Sequence, residues 1–148
     1  MISPDDIVAE ARTWLDTPWR HQGRVKHIAT DCLGMVGGIA ANLGLVSSDR
    51  WLGDPVFAGY GRIPQTAPLL DGCARYLEPV AKHLITRGDV LLMSFTEVRT
   101  PQHFAIVSEL NPIYIIHAYA QRRKVVETQA TLPKSSIVRV YRFRGVSV

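Results

Sequence analysis

Cysteine is scarce in this chain. Cys32 and Cys73 are the only two among 148 residues, which excludes a disulfide framework. Long apolar runs are missing as well: none approaches the roughly 18 residues that a helical membrane span requires. The first residues, Met1-Ile2-Ser3-Pro4-Asp5-Asp6, have neither the basic stretch nor the apolar core of a secretory leader. Acidic residues are the minority charge, 13 against 17 basic, for a net charge of +4. The basic side chains group at Arg20–Lys26, Arg122–Lys124 and Arg139–Arg144, the pattern that raises nucleic-acid binding. Aromatic residues do not interleave with these groups, however, and stacking on bases needs them. Solvated loops and strand faces, or a cationic cleft for a small anionic substrate, account for the charge instead. No repeat, low-complexity tract or linker divides residues 1–148, so a single domain is expected. A hydrophobic content of 47% is enough for an ordinary core.

Apolar spacing predicts three helices and then a run of strands. Residues 3–16 form the first helix: Ser3 caps it, Pro4 suits its first position, and Ile7, Ala11 and Trp14 with Leu15 make one stripe. A polar loop, Trp19-Arg20-His21-Gln22-Gly23-Arg24, follows. The second helix covers 32–44, with Cys32, Val36, Ile39, Ala40 and Leu43 on its buried face. Gly34, Gly37 and Gly38 each weaken that helix by about 1 kcal/mol against alanine, so a closely packed neighbour is expected there, and the later hairpin is the candidate. Residues 46–64, with Trp51, Phe57 and Tyr60, read as a loop long enough to form a binding wall or an interface. A third helix covers 65–78, with Leu69, Leu70, Cys73 and Leu77 inward. Short strands then start near Val90, Phe104, Ile113, Lys124 and Ile137, and Asn111-Pro112 makes a hairpin turn. Helices first and antiparallel strands second define an α+β fold.

Thr30-Asp31-Cys32-Leu33-Gly34 carries the chemistry. Asp31 is the N-cap, and Cys32 sits where unpaired N–H groups and the helix dipole favour a thiolate, which predicts a thiol pKa well below about 8.5. Two histidines follow in strand-like sequence. Alternation places His103, Ala105 and Val107 on one face, and Ile113, Ile115 and His117 on one face of the partner strand. His103 is then opposite His117 or one diagonal step away. This geometry suits a base, His103, that takes the Cys32 proton, with His117 holding the far nitrogen of its ring. The rival use of the same three residues is a zinc site, though no close-spaced pair of ligands anchors one. His21 stands in the loop before the cysteine and can line the cleft, whereas His27 and His83 read as surface residues. Cys73 reads as a small buried apolar residue.

Leu15-Asp16-Thr17-Pro18-Trp19, Asp31-Cys32-Leu33-Gly34, Gly88-Asp89-Val90, Gln102-His103-Phe104-Ala105-Ile106-Val107 and Ile116-His117-Ala118 resemble, in order and spacing, the NlpC-type cell-wall cysteine peptidases. The loop Trp19-Arg20-His21-Gln22-Gly23 is most similar to the stand-alone phage-encoded and gene-transfer-agent branch. The resemblance implies a papain-like α+β fold, N-terminal helices packed on a central antiparallel sheet, with no metal or cofactor. It also implies hydrolysis of amide bonds in peptidoglycan stem peptides, commonly between γ-D-glutamate and diaminopimelate. By motif, Cys32 is the nucleophile, His103 the general base and His117 the orienting residue, and the Cys32 N–H is a candidate oxyanion donor. Trp19, Arg20, His21 and Asp31 are expected at the substrate site. Arg20 and Arg24 are expected either to meet stem-peptide carboxylates or to remain solvated.

Two positions depart from the family pattern. Trp19 stands where tyrosine is common, so its hydroxyl is replaced by the indole N–H or by His21, or is missing; Asp16 stands where glycine is common. The expected partners are stem peptides and phage tail-tip proteins. The expected route is synthesis in a bacterial cytoplasm and action on the wall as part of a tail or by another path that needs no leader. Two further readings use the same fold: a catalytically idle tail-assembly protein, and an amidase or acyltransferase. Cysteine before histidine argues against permuted lipid-processing relatives.

Overall fold

Ser3 and Asp6 cap each other at the start of the chain: the Ser3 hydroxyl accepts the Asp6 N–H at 3.1 Å and the Asp6 carboxylate accepts the Ser3 N–H at 2.8 Å. With two of the orphan amides satisfied and Pro4 at the first position, helix α1 forms over Pro4–Arg12. The computed structural model describes residues 1–47, 50–51, 53–57, 66–94, 103–130 and 136–148. Tyr60 of the expected binding wall and Gln102 of the histidine motif lie outside those residues.

Helix α1 is shorter than its apolar stripe predicts. The chain leaves it after Thr13 and turns at Asp16, which adopts a left-handed φ of 68°. Asp16 N–H then donates to the Val125 carbonyl at 3.0 Å, and Val125 N–H to the Thr17 carbonyl at 2.9 Å. Pairing with a strand edge outweighs continuing the helix. A small hairpin, β1 (Arg24–Val25) with β2 (Ala29–Thr30), occupies the predicted polar loop. It delivers the chain to α2, Cys32–Asn42, of which Cys32 to Ala40 are buried.

Helix α3 spans Thr66–Tyr76, and Leu77, expected as its last turn, instead opens strand β3, Leu77–Val80. The strand forms because Leu77 pairs with Phe143, setting two buried side chains across from each other. Strands β4 (Val90–Ser94), β5 (His103–Glu109), β6 (Tyr114–Tyr119), β7 (Lys124–Gln129) and β8 (Ser136–Phe143) complete an antiparallel sheet in the order β3-β8-β4-β5-β6-β7. The α+β class and the helices-on-antiparallel-sheet arrangement are as expected.

The sheet separates two cores. Phe104, Ile106, Ile116 and Ala118 join Ile7, Trp14, Met35, Ile39 and Trp51 on the helix side; Ala105, Val107, Ile115, Leu91 and Met93 form the other. The glycines of α2 do mark close packing, but the hairpin β5–β6 is not what they admit. A methyl on Gly37 would overlap the Trp51 ring, one on Gly38 the Trp14 ring, and one on Gly34 the Gly23 carbonyl.

Trp51 and Phe57, expected in a binding wall, are core residues. The Trp51 indole N–H donates to the Leu33 carbonyl at 3.2 Å, and its ring lies 5.1 Å from Phe57 and 5.2 Å from Tyr76. Asp54 fixes the segment by accepting Arg75 at 2.7 Å and the Tyr76 hydroxyl. Cys73 is buried as expected. Asp89, also buried, accepts Arg142 at 2.8 and 3.0 Å, so the Gly88-Asp89-Val90 motif is a structural clamp on β8.

Candidate active site

Asp31 builds the start of α2. One carboxylate oxygen accepts the Gly34 N–H at 2.8 Å and the other accepts the Gln22 N–H at 2.8 Å. The N-cap prediction holds, and the same side chain also ties down the preceding loop. Asp31 N–H donates to the Gly23 carbonyl at 3.2 Å, and Gly23 N–H to the Arg20 carbonyl at 2.9 Å. The turn carrying Arg20 and His21 therefore rests on the first turn of α2, with Arg20 exposed and His21 half-buried.

Trp19 is held from two sides. Its N–H donates to the Arg123 carbonyl at 2.8 Å, while Pro18 and Arg20 bracket Thr30 through bonds of 2.9 and 3.1 Å. The ring packs against the helix-side core that includes Cys32. This brings Arg122–Lys124 and the Arg20 turn, distant in sequence, to the same end of the molecule.

At that end strands β5 and β6 part. Their pairing runs to Ile106–Ile116, although β5 begins at His103 and β6 continues to Tyr119. The parted ends make room for the start of α2: the N–H of Phe104, next to His103, is directed at the Cys32 sulfur, as are those of Leu33 and Cys32 itself. His103 and His117 meet across the gap. His103 Nε2 lies 2.8 Å from His117 Nδ1, with the rings edge to face. His117 Nε2 lies 3.0 Å from Thr128 Oγ1 on β7, and the Tyr119 ring stacks on His117 at 4.9 Å. Thr128 and Tyr119 escaped sequence reading. The one available signal was a polar residue in the alternation of the strand after the hairpin.

The thiol differs from its expected state. Burial pushes Cys32 up to about 12 and the Asp31 carboxylate adds to the rise, against the pull of the three N–H groups. A helix N-terminus favours a thiolate by only a modest amount, whereas removing a charge from water opposes it strongly. Burial likewise holds His103 well below its ordinary value, reinforced by His117, and brings His117 to about 4, with Arg122 contributing. Burial thus disfavours charge on all three side chains.

Zinc is a poor fit to this arrangement. The ring nitrogens that would have to converge on a metal are hydrogen-bonded to each other, and no group of three or more His, Cys, Asp or Glu among the described residues could hold one. No helix among them is long and apolar enough to cross a membrane.

No family model matches the chain, and no curated protein matches it. Solved structures do. An N-acetylmuramoyl-L-alanine amidase from Bacteroides uniformis aligns with a TM-score of 0.68 at 12% identity over 95% of this chain and 98% of that one. An NlpC/P60 family protein from Bacillus cereus aligns with a TM-score of 0.67 at 18% identity; 95% of this chain covers 40% of that longer one. The NlpC/p60 domain of the peptidoglycan hydrolase SagA gives 0.60 at 17% identity, over 95% and 98%. The fold is that of NlpC/P60 domains.

Proposed function

We propose that this protein is a cysteine hydrolase of amide bonds in peptidoglycan stem peptides, with Cys32 as nucleophile, His103 as base and His117 as its orienting partner. The observation that carries the reading is the convergence of the Cys32 sulfur, the Phe104 N–H and the 2.8 Å His103–His117 pair at the parted end of β5 and β6. With His103 Nε2 on His117, Nδ1 is the nitrogen that takes the thiol proton. Because burial disfavours charge on both thiol and imidazole, transfer accompanies attack: the S–H proton moves to His103 as sulfur bonds to the scissile carbonyl carbon. The Cys32 N–H, at the helix start, stabilises the carbonyl oxygen as it gains charge. His103 then protonates the departing amine, leaving a thioester. Water, giving its proton to His103, attacks that thioester; the carboxylic acid departs and the thiol is restored.

Arg20, Arg122 and Arg123 are exposed at this end of the chain's fold, and their charge suits the carboxylates of stem peptides. Trp19 replaces the expected tyrosine with packing and an indole N–H, and His21 is the nearby alternative donor. The motif resemblance supports cleavage between γ-D-glutamate and diaminopimelate, and a place in a phage tail tip acting on the wall. The likeness to the Bacteroides amidase favours a second bond, between N-acetylmuramate and L-alanine. Digestion of purified peptidoglycan with mass analysis separates the two, since the first frees the diaminopimelate amine and the second the alanine amine. Cys32→Ala should abolish both products while the circular dichroism spectrum is unchanged. Wall hydrolysis that survives Cys32→Ala would refute the proposal.

A further inference from the structure

The geometry points to Thr128 as a positioning residue that stabilises the productive protonation pattern of the histidine pair, an inference that rests on the hydrolase reading. Each ring nitrogen in the contact between His103 Nε2 and His117 Nδ1 is either donor or acceptor, and only one assignment lets His103 act as a base. His103 must carry its proton on Nε2 so that Nδ1 has a lone pair for the thiol proton. His117 must then accept at Nδ1 and hold its own proton on Nε2. That proton points at Thr128 Oγ1, 3.0 Å away.

A buried N–H without an acceptor is unfavourable, and His117 is fully buried. Thr128 Oγ1 supplies the acceptor that the Nε2–H form of His117 needs, and through that form the useful tautomer of His103. A hydroxyl donates as well as accepts, so it supports this tautomer without excluding the other, whereas a side chain with no acceptor at 128 disfavours it. The backbone makes the arrangement firm. Val126 lies directly across from His117 and Thr128 across from Ile115 in the β6–β7 ladder, which sets Thr128 one diagonal step from His117. The Tyr119 ring, stacked at 4.9 Å with 22° between planes, limits rotation of the imidazole.

Thr128→Val keeps the shape and removes the acceptor; Thr128→Ser keeps the acceptor. Nitrogen-15 spectra of the histidine rings in the resting protein should show the Nε2–H form of both histidines in the wild type and in Thr128→Ser. In Thr128→Val the His117 proton should move to Nδ1. Hydrolysis of a stem peptide should lose about ten- to hundredfold in kcat in Thr128→Val, with KM unchanged, and recover in Thr128→Ser. An unchanged His117 tautomer or an unchanged kcat in Thr128→Val overturns the inference, as does an equal loss in Thr128→Ser. Thr128→Ala gives the same reading if the valine variant does not fold. The tautomer spectra need no substrate, so they stand apart from the hydrolase reading, which Cys32→Ala tests.

Discussion

Cys32 and Cys73 are alike in most respects that describe a thiol. Both are buried and free, and burial pushes each up to about 12. They differ in what surrounds the sulfur. Cys32 begins a helix and faces the Phe104 amide beside a histidine pair. Cys73 lies inside α3, with the Tyr141 hydroxyl as its polar neighbour. Neither is a resting thiolate, so under the proposed function what separates the two sulfurs is the histidine pair next to the start of α2 rather than a low thiol pKa.

The strongest way to break that comparison is alkylation. Iodoacetamide at pH 7, followed by peptide mass analysis, should modify Cys32 about a hundredfold faster than Cys73, the size of effect a positioned base supplies. His103→Asn should bring Cys32 down to the Cys73 rate. Equal rates in the wild type would mean that the two sulfurs are equivalent and that His103 does not act on either.

The pH dependence of stability sharpens the same contrast. Below about pH 6.5 an unfolded chain takes up protons that the buried histidines refuse, so stability falls with pH. His117, at about 4 in the folded protein, accounts for about 3 kcal/mol of loss by pH 4. Urea unfolding between pH 7 and 4 should show it, and His117→Gln should shrink it; an identical acid loss in that variant would contradict the assignment. On the alkaline side the two cysteines should act alike. Each is raised from 9.0 to about 12, so its contribution is complete below pH 9 and is lost above it, by about 1.4 kcal/mol per pH unit per thiol.

The smallest expected effect concerns the backbone that fastens the Cys32 end to β7. Asp16 holds a φ of 68°, which suits glycine better than aspartate. Its exposed ion pair to Lys124, 2.9 Å, adds little. Asp16→Gly should raise stability by about 0.5 kcal/mol in urea unfolding, with no change in the relative alkylation of the two cysteines.

Features that depend on neighbours in sequence are legible in the sequence itself. The Asp31 cap is one residue from Cys32, and strand alternation relates His103 to His117 through a short turn. The start of α1 was also readable, because Ser3, Pro4 and Asp6 act within a single turn. Features that depend on distant packing were not. Gly37 and Gly38 announced a close neighbour, but nothing local says that Trp51 and Trp14 fill those places. Leu77 fits the stripe of α3 equally well as it fits a strand, and only Phe143, far along the chain, decides between them. Thr128 is a β-branched residue of the kind strands use anyway, so a polar residue in the strand alternation is only a weak signal for its hydroxyl. The thiol divides the same way: the helix start is visible in the sequence, whereas the depth at which it is buried is not.

Asp31 has a mechanical consequence. One carboxylate grips the amide of Gln22 with one oxygen and that of Gly34 with the other, at 2.8 Å each. Charge-assisted bonds of this kind are worth about 1.5–3 kcal/mol apiece. The loop that carries Arg20 and His21 and the helix that carries the sulfur are thereby one rigid piece. A guest that pushes on that loop pushes on the Cys32 sulfur as well, so loop and thiol move together.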